Sequence, residues 1–129
     1  MSDKFKIEII TPEKLVLSSD ATQVVIPSYE GEMGILYDHT PLITFLKPGI
    51  ITIISNAEKK YFVEEGNVEF SDNNLLILTT TATELSGADK SYFNTLLEEA
   101  EKKMSDETIT DKERYFLTHK ITILKEINQ

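Results

Sequence analysis

The chain has 129 residues and a mass of 14.7 kDa, room for about one domain with a small appendage, which excludes a long multidomain enzyme. Its 13 basic and 22 acidic side chains give a net charge of −9 with no concentrated basic patch, a balance that repels phosphate backbones and argues against a nucleic-acid partner. There is no cysteine, which removes disulfides, thiolate zinc sites and cysteine nucleophiles together.

The chain opens on Met1-Ser2-Asp3-Lys4-Phe5, without the basic start and apolar stretch of a secretory leader. No segment approaches the ~18 apolar residues of a membrane-spanning helix, so the expectation is an intracellular chain that is soluble by itself. From there to about residue 85 the apolar pattern is short and close to period two, which predicts strands. Phe5, Ile7 and Ile9 form the first run, Leu15 to Leu17 the second, and Thr22, Val24 and Ile26 the third. Further runs cover Leu42 to Leu46, Ile50 to Ile54, Tyr61 to Val63, Val68 to Phe70 and Leu75 to Leu78. Pro48-Gly49, Asn56-Ala57-Glu58 and Ser71-Asp72-Asn73-Asn74 separate them with residues suited to turns or left-handed backbone. Eight such strands predict a β-sandwich or flattened barrel over residues 1 to 87.

After Ser86-Gly87 the period becomes helical. Tyr92, Phe93, Leu96, Leu97, Ala100 and Met104 form one face, with Glu98, Glu99, Glu101, Lys102 and Lys103 between them. A polar break, Ser105-Asp106-Glu107-Thr108, precedes a second periodic stretch containing Phe116, Leu117, Ile121, Leu124 and Ile127. Thr110-Asp111-Lys112-Glu113 fits a capping box, which starts the second helix near Asp111. Residues 88 to 129 therefore predict an antiparallel αα-hairpin that needs an apolar surface to cover. The second helix carries Tyr115, Phe116 and more aliphatic side chains than one stripe hides, which fits either simple packing or a helix with different partners in different states. Charge is split unevenly: residues 1 to 87 hold 6 basic and 13 acidic groups, residues 88 to 129 hold 7 and 9.

The densest unusual stretch is Glu30 to Leu42, EGEMGILYDHTPL. Gly31 and Gly34 allow a tight excursion that presents Glu32, Met33, Ile35 and Leu36 from a loop, as a docking tip does. The alternative is a glycine-bearing β-turn whose apolar residues point into the sandwich. The stretch lacks the lysine and following helix of a phosphate-binding loop. Asp38-His39 has no serine or cysteine elbow beside it, so it reads as a turn or interface pair rather than a catalytic one. Two histidines 80 positions apart, His39 and His119, give no metal-ligand spacing, and Glu64-Glu65 and Glu98-Glu99 read as solvated faces. No catalytic residue, cofactor or metal is expected.

Five segments stand out together: Ile9-Ile10-Thr11-Pro12, Val25-Ile26-Pro27, Glu30-Gly31-Glu32-Met33-Gly34-Ile35, His39-Thr40-Pro41-Leu42 and Leu46-Lys47-Pro48-Gly49. In order and spacing they resemble the epsilon-subunit family of bacterial F-type ATP synthases, and the likeness covers nearly the whole chain. The resemblance implies a non-catalytic rotor-stalk subunit bound to gamma and resting on the c-ring, and so tied to the membrane only through a complex on the cytoplasmic face of the bacterial inner membrane. It places the c-ring contact at Glu32 and His39, with Met33, Gly34 and Ile35 lining the same surface. It implies that the hairpin, when extended along gamma, enters the head of alpha and beta subunits and blocks ATP hydrolysis, with Lys112, Arg114, Lys120 and Lys125 as its basic contacts. Of the ATP-binding motif of some members only Asp89 survives in Ala88-Asp89-Lys90-Ser91-Tyr92-Phe93, which implies weak or absent ATP binding. The family's glycine pair before the late strands appears as Glu65-Gly66, leaving one permissive residue for the turn. The competing reading is a free-standing β-sandwich binding module whose hairpin caps an open sheet.

Overall fold

A computed structural model describes residues 3–128; Met1, Ser2 and Gln129 lie outside the described residues, and with them the first positions of the leader reading. The chain divides into two compact units, Met1–Ser86 and Gly87–Gln129.

The first unit is a β-sandwich of ten strands. These are β1 (Phe5–Ile10), β2 (Leu15–Ala21), β3 (Gln23–Ser28), β4 (Gly31–Leu36), β5 (Leu42–Leu46), β6 (Gly49–Ile54), β7 (Glu58–Val63), β8 (Gly66–Ser71), β9 (Asn74–Thr79) and β10 (Ala82–Glu84). Hydrogen bonding runs in the order β10-β7-β6-β3-β5-β8-β9-β1-β2, with β4 added on β3. β3 joins the two halves: Gln23 to Val25 pair with β6, while Ser28 at its other end pairs with Leu46 of β5. β1 and β9 are parallel.

Period-two alternation puts Phe5, Ile7, Ile9, Val24, Ile26, Ile35, Leu46, Ile51, Val68, Phe70, Leu75 and Ile77 into one shared core. Phe5 and Phe70 meet edge to face with centroids 5.6 Å apart.

Two strands go beyond the eight expected. β10 has only three residues and pairs with β7. β4 corrects the reading of a loop at Glu32 to Leu36: this segment pairs with β3 from Ser28↔Gly31 to Gln23↔Leu36. Only Tyr29 and Glu30 form the hairpin tip, and Gly31, at φ 120°, takes the backbone turn that other residues rarely adopt.

Gly66 is required for a different reason than a turn. It opens β8 opposite Thr79, and a Cβ there would run into the Leu78 carbonyl oxygen and the Thr79 Cα. The β8–β9 turn is instead made by Asp72 and Asn73, at φ 51° and 58°, two consecutive left-handed residues as a type I′ hairpin requires.

The second unit holds α1 (Lys90–Met104) and α2 (Asp111–Ile127), which pack on one another. Asp89 caps α1 by accepting the Ser91 N–H at 2.9 Å. The capping box of α2 is formed as expected: the Glu113 N–H donates to Thr110 Oγ1 at 3.1 Å, and the Thr110 N–H donates to Glu113 Oε1 at 3.2 Å. Lys103 of α1 lies 3.8 Å from Glu113 of α2, and Arg114 Nη1 donates to Met104 Sδ at 3.5 Å, which joins the two helices at the loop end.

Candidate protein-docking surfaces

Pairing on β3 splits β4 into two faces. Glu32, Gly34 and Leu36 are exposed, whereas Met33 is half-buried against the core and Ile35 is fully buried within it. Ile35 therefore does not share the exposed side of Glu32, and its side chain supports the strand rather than lining a contact.

His39 follows the end of β4. Its N–H donates to the Leu36 carbonyl at 3.1 Å, closing a turn with Asp38 in left-handed backbone at φ 62°. The imidazole lies edge-on against Phe70, with centroids 5.9 Å apart. Nδ1 sits 2.7 Å from the Thr40 carbonyl. A carbonyl can only accept, so Nδ1 carries the proton and Nε2 is left to meet a partner.

Glu32 and His39 thus stand near opposite ends of β4. The four residue steps from Glu32 to Leu36 span on the order of 13 Å of extended chain. A partner that touches both must lie along this strand, with Gly34 offering bare backbone between them.

A second surface was not anticipated from the sequence. On the outer side of β5-β8-β9-β1-β2, the registers align Phe45, Asn67, Leu78, Ile10 and Leu15 in one cross-strand row. Phe45 is 55% exposed, Leu78 42% and Leu15 52%, and Ile43 on the neighbouring row is 76% exposed. The second row runs Ile43, Glu69, Leu76, Glu8 and Ser18, so two carboxylates flank the apolar stripe. Leu15 joins the stripe through a β-bulge: Ile9 pairs with Leu17 while Ile10 pairs with Leu15, which leaves Val16 over and turns Leu15 outward. Asn67 interrupts the row between Phe45 and Leu78, but several large apolar side chains gathered on one sheet face make it a candidate protein contact. The available signal was that β5 (LITFL) and β9 (NLLILT) are apolar on both alternating sets, more than a one-sided strand needs.

The basic residues of α2 are distributed around the helix. At 3.6 residues per turn Arg114 and Lys125 fall about 20° apart, and Lys112 and Lys120 lie about 80° apart on another side. Lys112 Nζ stands 6.0 Å from the Phe116 ring centroid, Arg114 reaches Met104, and Lys125 is in the last turn, where its charge complements the helix dipole. The four do not form one face.

No group of three or more metal-ligating side chains converges among the described residues. Of the carboxylate pairs, Glu65 is exposed, while half-buried Glu64 accepts the Thr81 hydroxyl at 2.8 Å.

The described residues thus form a β-sandwich with two candidate docking surfaces, followed by a helical hairpin. Residues 4–85 match the family model described as the ATP synthase Delta/Epsilon chain, beta-sandwich domain. The chain is 49% identical to the ATP synthase epsilon chain of Pelagibacter ubique strain HTCC1062 over 99% of this chain and 100% of the relative. It is 32% identical to that of Bradyrhizobium sp. strain ORS 278, over 96% and 94%. The fold also resembles a chain in the Euglena gracilis mitochondrial ATP synthase OSCP/F1/c-ring structure, with a TM-score of 0.72, 22% identity and coverage of 95% of this chain and 78% of that one. A chain of the Tetrahymena thermophila mitochondrial ATP synthase central stalk and c-ring gives a TM-score of 0.72 at 16% identity, covering 99% and 98%. The chain belongs to the ATP synthase epsilon-chain family.

Proposed function

We propose that this chain is a rotor subunit in the central stalk of a proton-translocating F-type ATP synthase, on the cytoplasmic face of the bacterial inner membrane. The gamma subunit covers the outer face of β5-β8-β9-β1-β2. The observation that carries this is the outward row in which Phe45, Leu78 and Leu15 are exposed and Ile10 half-buried, with exposed Ile43 beside it, an apolar surface of the kind a partner covers. Glu8 and Glu69 next to it favour a partner surface that offers basic groups at the rim.

The strand end and turn with Glu32 and His39 rest on the polar loops of the c-ring. The carboxylate accepts and the imidazole Nε2 accepts or donates according to its charge, while Gly34 lets a loop approach the backbone. Ile35 acts from the core, holding β4 in register. Rotation of the ring is thereby transmitted through this chain to gamma.

The hairpin is a brake. Extended along gamma, α2 would meet acidic segments of the alpha and beta subunits with Lys112, Arg114, Lys120 and Lys125, a ring of charges suited to several surrounding partners. Its helices suit a two-state element. The hydroxyls of Thr95, Thr118 and Thr122 donate to carbonyls four residues back, at 2.9, 2.8 and 2.9 Å, a bond that slightly weakens and bends a helix. Asp89, the one residue kept from the ATP motif, serves as the cap of α1, which leaves ATP binding weak or absent.

Reconstituted complexes carrying Glu32→Ala with His39→Ala test the ring contact. Lower proton-coupled ATP synthesis, with the thermal midpoint of the isolated chain unchanged, is expected; full coupling would remove these residues from the contact.

A further inference from the structure

Asp38 and Asn73 lie 35 positions apart, in the β4–β5 turn and the β8–β9 turn, and hold each other through two hydrogen bonds. The Asp38 N–H donates to Asn73 Oδ1 at 2.7 Å, and Asn73 Nδ2 donates to Asp38 Oδ1 at 2.9 Å. Both residues are in left-handed backbone, at φ 62° and 58°, where glycine meets the least strain. Either turn alone would be served better by glycine. What glycine cannot supply is the side-chain half of this pair.

Asn73 is itself fixed to the sandwich, because its carbonyl accepts the Lys6 N–H of β1 at 3.0 Å. The clasp therefore ties the backbone of the β4–β5 turn to an anchored one. His39, the next residue after Asp38, packs its ring at right angles to Phe70 of β8, the strand that leads into the turn of Asn73.

We infer that Asp38 and Asn73 are positioning residues for His39, a reciprocal clasp that fixes the β4–β5 turn and so presents the imidazole already ordered to a docking partner. The identity of that partner as the c-ring rests on the function proposed above. A contact made by a pre-ordered side chain avoids the loss of rotamer and loop freedom on binding, which affects chiefly the rate of dissociation.

The two bonds make a specific rescue available. Asn73→Asp sets two carboxylates against each other and removes the Nδ2 donor, while leaving the main-chain bond to Lys6. Adding Asp38→Asn restores a donor facing a carboxylate, with the original net charge. The full-length chain carrying Asn73→Asp, Asp38→Asn with Asn73→Asp, or Asn73→Gly is compared with the parent in two readouts: the backbone order parameter at His39, and dissociation from purified c-rings.

The expected result for Asn73→Asp is a fall in the order parameter at His39 from the rigid range near ~0.85 toward ~0.6. Dissociation should be about 3- to 10-fold faster. The double variant should restore both values. Asn73→Gly, which relieves the backbone while removing the clasp, should loosen His39 without lowering the thermal midpoint. An unchanged order parameter in Asn73→Asp, or no recovery in the double variant, overturns the inference. If the order parameters respond as expected and His39→Ala does not alter ring dissociation, the clasp stands and the c-ring reading fails.

Discussion

Phe45 and Leu78 stand on either side of Asn67 in one cross-strand row, 55% and 42% exposed, with their aliphatic and aromatic surface turned away from the core. The inward alternates on the same strands, Leu46 and Ile77, are fully buried. The fold is thus complete without the outer pair, and their chemistry is available to a partner.

Phe45→Ser should leave the thermal midpoint nearly unchanged, as surface substitutions usually shift stability by under about 0.5 kcal/mol. It should weaken the complex with gamma by about tenfold or more, the effect expected of a central aromatic anchor. Calorimetric titration of gamma with parent and variant chains measures the affinity, and a thermal melt of each isolated chain measures the midpoint; equal affinity would place gamma on another face.

Ile35 belongs to the core and responds differently. Ile35→Ala should destabilise the sandwich by about 2 to 5 kcal/mol, read as a lower urea midpoint with little change in slope. Glu32→Ala should leave that midpoint in place. If both variants were equally stable, Ile35 would belong to the surface with Glu32.

Three carboxyls in the hairpin are held below their ordinary range. Glu113 is lowered by the Thr110 N–H and then its hydroxyl, Asp106 by the Thr108 hydroxyl and then its N–H, and Asp89 by the Ser91 N–H. A depressed pKa in the folded state means stability that is present above the unfolded carboxyl value, about 4, and lost as pH falls through the lower folded value. Helicity should therefore decline on acidification below about pH 4. Thr110→Ala should weaken the start of α2 by about 1 kcal/mol at neutral pH and flatten that decline. Circular dichroism at 222 nm across the pH range checks both. A steeper acid transition in Thr110→Ala would contradict the capping account.

The parts legible in the sequence were those written in local pattern. Thr110 and Glu113 are three residues apart, so the start of α2 followed from spacing alone. Asp72-Asn73 marked its turn by residue type. β4 was missed because Gly31 and Gly34 carry the ordinary signature of a loop, and a strand paired on one side tolerates them. β10, three residues long, is too short for any period to show.

The apolar row was hidden for a different reason. That Leu15 faces outward depends on a bulge at Val16, and that it aligns with Ile10, Leu78 and Phe45 depends on registers among four other strands. No local window contains that information. Likewise the resemblance grouped Ile35 with Glu32, while pairing with Val24 on β3 sends it to the opposite face.

The most direct measurement is ATP hydrolysis by a catalytic head that lacks this subunit, titrated with the full chain and with residues 1 to 87, with native mass spectrometry of the gamma complex alongside. A stalk subunit with a helical brake predicts that both chains bind gamma one-to-one and only the full chain slows hydrolysis. Failure of either chain to bind gamma would contradict the stalk assignment, and equal hydrolysis with both bound would contradict the brake.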